Sequence, residues 1–376
     1  MMEAGDCMKE MFKAVKQYVG NPSDNNLSKL NRNIYGLIAL THDSVSSVFN
    51  PRDALTMQCM SCLIDILDGA VVPDLFERII VLLTKLVEDD SQCKLLTERY
   101  SLTNVLSILC IHKLSDSIQL LTKCLCLLQK ITYINKVRFE DGFVDELVKF
   151  IIQFIPTNSL NVDNQQLCRV CVCLLANVCR NNLPVQTYVK NLRNIKQIYK
   201  TLVGFIAIPN KDFNIPSLSV LTCLYLHDDI GQNFFSPVNI NQTFLLIFNV
   251  LVSSEPERSR KYAIDLVIDL IRHPHISDLL VSFQHLELTV KQVLNLLKSK
   301  ALLDAGKLFE LLLAFCSVSK LRSVVCRCVF ESKDSEIHLI ESIMAWIKQS
   351  SSPLSVLALS LVRELYEVLV YYKYSS

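Results

Sequence analysis

The chain has 376 residues, 51% hydrophobic and 20% charged, which supplies a large core and is too apolar for a disordered segment. Its 38 basic and 37 acidic residues leave a net charge of +1, so no global field draws it to nucleic acid or an anionic membrane. Only 8 glycines occur, where average usage of about 7% gives roughly 26; this scarcity argues for helices and against phosphate-cradling α/β folds.

The opening, MMEAGDCMKEMF, is broken by charges and does not read as a secretory signal. No apolar run nears the roughly 18 residues that a membrane span requires. The first informative stretch is LIALTHDSVSSVF, an apolar helical seam, a polar break and a hydrophobic restart, with Ile38 in the seam. The same succession follows at Leu83 (LLTKLVEDDSQCKLL), Leu128 (LLQKITYINKVRF), Leu175 (LLANVCRNNLPVQTYV) and Leu221 (LTCLYLHDDIGQNFF). It continues at Ile268 (VIDLIRHPHISDLL), Leu313 (LLAFCSVSKLRSVV) and Ala358 (LALSLVRELYEVL). The intervals between these anchors are 45, 45, 47, 46, 47, 45 and 45 residues.

A second apolar helix precedes its anchor at 144–155, 194–206, 240–252 and 288–297, with apolar residues three and four apart. The hydrophobic restart after each anchor predicts a short linking helix, and the prolines between apolar stretches predict helix stops. Two or three helices per 45–47 residues is the pattern of armadillo and HEAT units, none of which covers its own apolar faces alone. The expected fold is therefore all-α, an armadillo/HEAT-like α-solenoid of about eight repeats. The expected organisation is one superhelix over 1–376, with capping helices at about 1–50 and an array open at its apolar C-terminal segment. Packed layers about 10 Å apart make such a stack on the order of 80 Å long.

Fifteen cysteines, most inside apolar seams as at Cys124, Cys126, Cys171 and Cys223, suit reduced thiols packed as small hydrophobes in a cytosolic or nuclear protein. Cys59 and Cys62, and Cys168 and Cys171 with Cys173 and Cys179, have zinc-like spacing, but they fall within continuous helical patterns rather than knuckles. His273, Pro274 and His275, with Asp269 and Asp278, sit in an inter-helix turn where His273 complements a helix end; the turn at 227–229 reads the same way. No P-loop, nucleophile elbow or metalloprotease motif occurs, so neither an enzyme nor a cofactor is expected.

Basic residues cluster at 180–200, with Arg180, Lys190 and Arg193, and at 257–262, with Arg258, Arg260 and Lys261. These six are the candidate protein-binding residues, set against the ordinary solvated helix face. Peptide-clamping armadillo proteins repeat asparagine two places after the anchor. Here that column reads Leu40, Lys85, Lys130, Asn177, Cys223, Leu270, Phe315 and Ser360, which disfavours such a clamp.

The segments LLANVCRNNLPVQTYVKNLRNIKQIYKTL (174–202), INQTFLLIFNVL (240–251), RKYAIDLVIDLI (260–271) and LFELLLAFCSVSKLR (308–322) resemble the N-terminal armadillo domain of the cancerous inhibitor of protein phosphatase 2A family. CMSCLIDILD (59–68), LLQKITY (127–133) and SVLALSLVRELYEVL (355–369) follow in the family's order. The resemblance implies a non-enzymatic scaffold that engages phosphatase 2A regulatory subunits and preserves phosphorylation on growth-promoting substrates. It also implies a mitotic role through a BRCT-repeat topoisomerase-binding scaffold, and a place in the cytoplasm, at the centrosome or on mitotic chromosomes. Family members continue into a dimerisation segment and a coiled coil, so a homodimer is expected only with that region. The competing expectation is an architectural solenoid whose longer parent makes the functional contacts elsewhere.

Overall fold

A computed structural model describes residues 4–41, 49–50, 52–69, 72–138, 142–155, 162–207, 211–226, 228, 235–253, 257–298, 304–330, 337–348 and 353–375. Among the described residues the chain forms α-helices and no strand. It divides into two units, Met1–Gly204 and Phe205–Ser376.

The first unit contains α1 (Ala4–Gly20), α2 (Asp24–Leu40), α3 (Ala54–Asp68), α4 (Pro73–Leu86), α5 (Asp90–Tyr100), α6 (Leu102–His112), α7 (Ile118–Ile134), α8 (Val144–Ile152), α9 (Val162–Cys179) and α10 (Leu183–Lys190). It ends within α11 (Ile195–Ala207). The anchors Ile38, Leu83, Leu128 and Leu175 lie on α2, α4, α7 and α9, and each of these helices packs on the next. Helices α1, α3, α6 and α8 form a second row, again neighbour on neighbour. Leu83, Leu128 and Leu175 are wholly buried, as the stacking of mutually dependent apolar faces requires.

Local chemistry sets the breaks. Asp53 accepts from the Leu55 and Thr56 amides, and Asp89 from those of Ser91 and Gln92, so α3 and α5 start on aspartate caps. Ser101, at φ 49°, adopts the left-handed conformation that separates α5 from α6; Asn181, at φ 52°, does so between α9 and α10. The expected linking helices are α5 after Leu83 and α10 after Leu175. After Leu128 residues 135–138 are not helical.

The second unit contains α12 (Lys211–Tyr225), α13 (Ile240–Val252), α14 (Glu257–Ile271), α15 (Pro274–Val281), α16 (Leu286–Leu296), α17 (Ala305–Cys316), α18 (Ser319–Phe330), α19 (Ile337–Lys348) and α20 (Pro353–Ser375). The anchors fall on α12, α14, α17 and α20, which again pack in succession, while α13 packs on α16. Linking helices α15 and α18 follow Ile268 and Leu313. An aromatic cluster of Phe244, Phe248 and Phe283 fills the space beside α13, with ring centroids 5.5–5.9 Å apart. Five of the described prolines act differently from the expected helix stops. Pro73, Pro184, Pro274 and Pro353 open helices, where a missing N–H costs nothing, and Pro216 lies inside α12.

Within each unit polar side chains bridge structurally equivalent places in adjacent repeats. The bridged residues are 38 to 49 apart in sequence, so the period read from hydrophobic anchors is approximated in the hydrogen bonds.

Candidate protein interface

In the first unit the bridges are mostly amides and hydroxyls. Gln92 Nε2 donates to the Phe49 carbonyl at 2.8 Å, and Tyr100 Oη to the Met57 carbonyl at 2.9 Å. Asn135 Nδ2 donates to Thr97 Oγ1 at 3.0 Å, and Asn182 Nδ2 to the Val137 carbonyl at 3.0 Å. Asn177 Nδ2 donates to the Gln129 carbonyl at 2.9 Å and to Thr132 Oγ1 at 3.1 Å. The asparagine of the post-anchor column therefore ties α9 to α7. In the same column Lys85 and Lys130 both reach Glu88, at 3.4 Å each.

The second unit uses charge. Arg260 on α14 is 6% exposed and Asp304, just before α17, is 2% exposed. Arg260 Nη1 donates to Asp304 Oδ2 at 2.9 Å and Oδ1 at 3.2 Å. Its Nε and Nη2 donate to the carbonyls of Leu251 and Ser253 at the end of α13, at 3.1 and 2.7 Å. One guanidinium thus caps α13, faces a carboxylate at the start of α17, and is carried by α14. One turn along, Lys307 Nζ lies 3.2 Å from the buried Asp265 and 2.9 Å from Glu310. Burial pulls the Lys307 ammonium down, but Asp265 and Glu310 together hold it above its ordinary range.

These positions sort the six basic candidates. Arg260 corrects the expectation of a solvent-facing contact, because it is sealed inside the helix stack and its donors are spent on α13 and Asp304. Lys261 is half-buried, and the side chain of Arg258 lies outside the described residues. Arg180 and Lys190 are half-buried at the ends of α9 and α10, and both are engaged by neighbouring groups. Arg193 is exposed, as are Lys196 and Lys200, which belong to the same basic cluster at 180–200 but carry no motif that marks them in the sequence.

The remaining clusters resolve into structure. Cys59, Cys168 and Cys171 are buried in α3 and α9, and Cys62 is half-buried. Burial pushes the Cys59 and Cys168 thiols up to about 12, far from the thiolate that metal binding or nucleophilic attack requires. Among the described residues no three His, Cys, Asp or Glu side chains gather as a metal-holding group. His273 and Pro274 occupy the turn that opens α15; Asp269 is paired with Arg272 at 3.3 Å and Asp278 with Lys320 at 2.8 Å. His227 and Asp229 lie outside the described residues. Among the described residues no helix is long and apolar enough to cross a membrane.

Within each unit, helices stacked in succession and tied at about one repeat spacing define a helical-repeat protein of the armadillo type. The model of the family described as CIP2A, N-terminal, matches residues 2–376, and the chain belongs to that family. The chain is similar, at 13% identity and TM-score 0.42, to computationally designed armadillo repeat proteins for modular peptide recognition; the match covers 68% of this chain and 97% of that one. It is similar to She4p at 12% identity and TM-score 0.43, over 94% of this chain and 50% of that one.

Proposed function

We propose that the chain is a non-catalytic protein-interaction scaffold that engages regulatory subunits of the serine/threonine phosphatase 2A and restrains that phosphatase. The observation that carries this reading is the family match along residues 2–376. The stacked repeats support it physically, because a solenoid buries its apolar faces between neighbours and leaves long outer surfaces for partners. The buried, deprotonation-resistant thiols favour a binding role over nucleophilic chemistry. The proposed contacts are Arg180, Lys190, Arg193, Arg258 and Lys261; Arg260 is left out because it is inside. A mitotic role through a BRCT-repeat scaffold, and a place in the cytoplasm, at the centrosome or on mitotic chromosomes, belong to the same reading.

The test is retention of a purified phosphatase regulatory subunit by the immobilised 1–376 chain, followed by phosphatase activity of the assembled holoenzyme with and without it. Retention with lowered activity is expected. Absence of retention at micromolar concentrations overturns the reading for this chain.

A further inference from the structure

From Asn164 to Lys211 the sequence contains no Asp or Glu, although the chain's 37 acidic residues in 376 would place about five in that stretch of 48. The same stretch carries Arg169, Arg180, Lys190, Arg193, Lys196, Lys200 and Lys211. On α11, Ile198 and Leu202 are buried, while Lys196 and Lys200 face outward one turn apart, about 6 Å along the axis. Arg193 stands exposed immediately before the helix, whose first turn closes on the Asn194 carbonyl.

Helix stability does not explain this arrangement. Like charges four apart on a helix destabilise it by about 0.2–0.5 kcal/mol, and cations beside an N-terminus oppose the helix dipole. No acidic residue occupies the first turn of α11. Some exposed lysines elsewhere are paired with carboxylates, as Lys94 is with Glu98 and Lys320 with Asp278. No carboxylate lies within a helical turn of Arg193, Lys196 or Lys200 in sequence, so these three exposed cations form a row with no acidic residue interleaved along the chain.

We propose that the Arg193, Lys196 and Lys200 row is a docking surface for an acidic, Asp/Glu-rich polypeptide segment of a partner protein. An extended chain advances about 3.3 Å per residue, so carboxylates at alternate positions match the spacing of successive cations. Three cations are few for nucleic acid, whose binders commonly neutralise about 6–10 phosphates, and few for a polybasic membrane contact of roughly 4–8 charges. This inference rests on the reading of the chain as a protein-binding scaffold and specifies the partner's chemistry.

The experiment measures fluorescence anisotropy of a labelled peptide of alternating glutamate and serine on the full chain. Its arms are the wild type, Arg193→Glu/Lys196→Glu/Lys200→Glu, and the control Lys13→Glu/Lys29→Glu/Arg32→Glu, which changes exposed basic residues and net charge equally. The row variant is expected to weaken binding by about tenfold or more, with the control within about twofold. The corresponding triple Gln variant, with circular dichroism of all proteins, separates loss of contact from loss of fold. Equal weakening by row and control variants, or no wild-type binding, overturns the proposal. So does row-dependent binding of single-stranded oligonucleotide or phosphatidylserine vesicles without peptide binding. The row variants are also run against the phosphatase regulatory subunit. Row-dependent peptide binding without subunit retention leaves the surface standing and removes the phosphatase reading; subunit retention without peptide binding does the reverse.

Discussion

The two units solve one problem with different chemistry. Each must hold neighbouring repeats in register across apolar faces that alone do not distinguish one sliding position from the next. The first unit does so largely with neutral amides that donate to backbone carbonyls, as at Gln92, Asn177 and Asn182. The second places a guanidinium and a carboxylate in its interior at Arg260 and Asp304. A neutral hydrogen bond contributes modestly and is lost modestly. A buried ion pair offers little net stability over a well-packed apolar pair, yet losing one partner is severe because the other is left charged and dry. The second unit is therefore the more brittle of the two.

The strongest way to break this contrast is Arg260→Ala. It strands Asp304 and uncaps α13, and should destabilise the second unit by about 3–5 kcal/mol, read as amide hydrogen exchange accelerating in 205–376 and not in 1–204. Arg260→Met with Asp304→Leu should recover most of that loss; if it does not, the carbonyl caps matter more than the ion pair. In the first unit Asn177→Ala leaves the Gln129 carbonyl and Thr132 short of a donor, for about 1–2 kcal/mol by urea denaturation.

Asp89→Ala, which removes the cap of α5, should cost about 1 kcal/mol with fraying localised to that helix. Hydrogen bonds from Ser91 and Gln92 hold the Asp89 carboxyl below its ordinary range, and those from Thr56 and Leu55 do the same for Asp53. Their contribution is complete above the ordinary carboxylate pKa near 4 and is lost as pH falls through the lowered values, so acid should fray α3 and α5 first. The smallest effect belongs to Lys320→Ala. Its pair with Asp278 is exposed and screened, and no measurable shift in the denaturation midpoint is expected.

The period is legible because every repeat must contribute an apolar seam, and Leu83, Leu128 and Leu175 announce it at intervals of 45 and 47 residues. The helix-opening role of Pro73, Pro184, Pro274 and Pro353 is not legible, because a proline between apolar stretches marks a boundary without saying which helix it bounds. Arg260 was read as surface because it sits in a run of charge. A helical signal pointed the other way: Ala263, Ile264, Val267 and Ile271 follow it at the spacing of one buried face, and Asp304 lies 44 residues on, about one period. Lys196 and Lys200 stood in plain sight, but the informative feature was the missing carboxylates around them, and reading for motifs searches for what is present.

The repeat-spaced ties also bear on how the chain reaches its native state. Each closes a loop of 38 to 49 residues, and closure entropy changes only slowly with length, so no tie has a head start over another. The order in which repeats assemble is then decided by the strength of the local joint, with the Arg260 clasp forming only after three separate helices have met. Folding should spread outward from amide-bonded neighbours such as α7 and α9, and the charged clasp should close late.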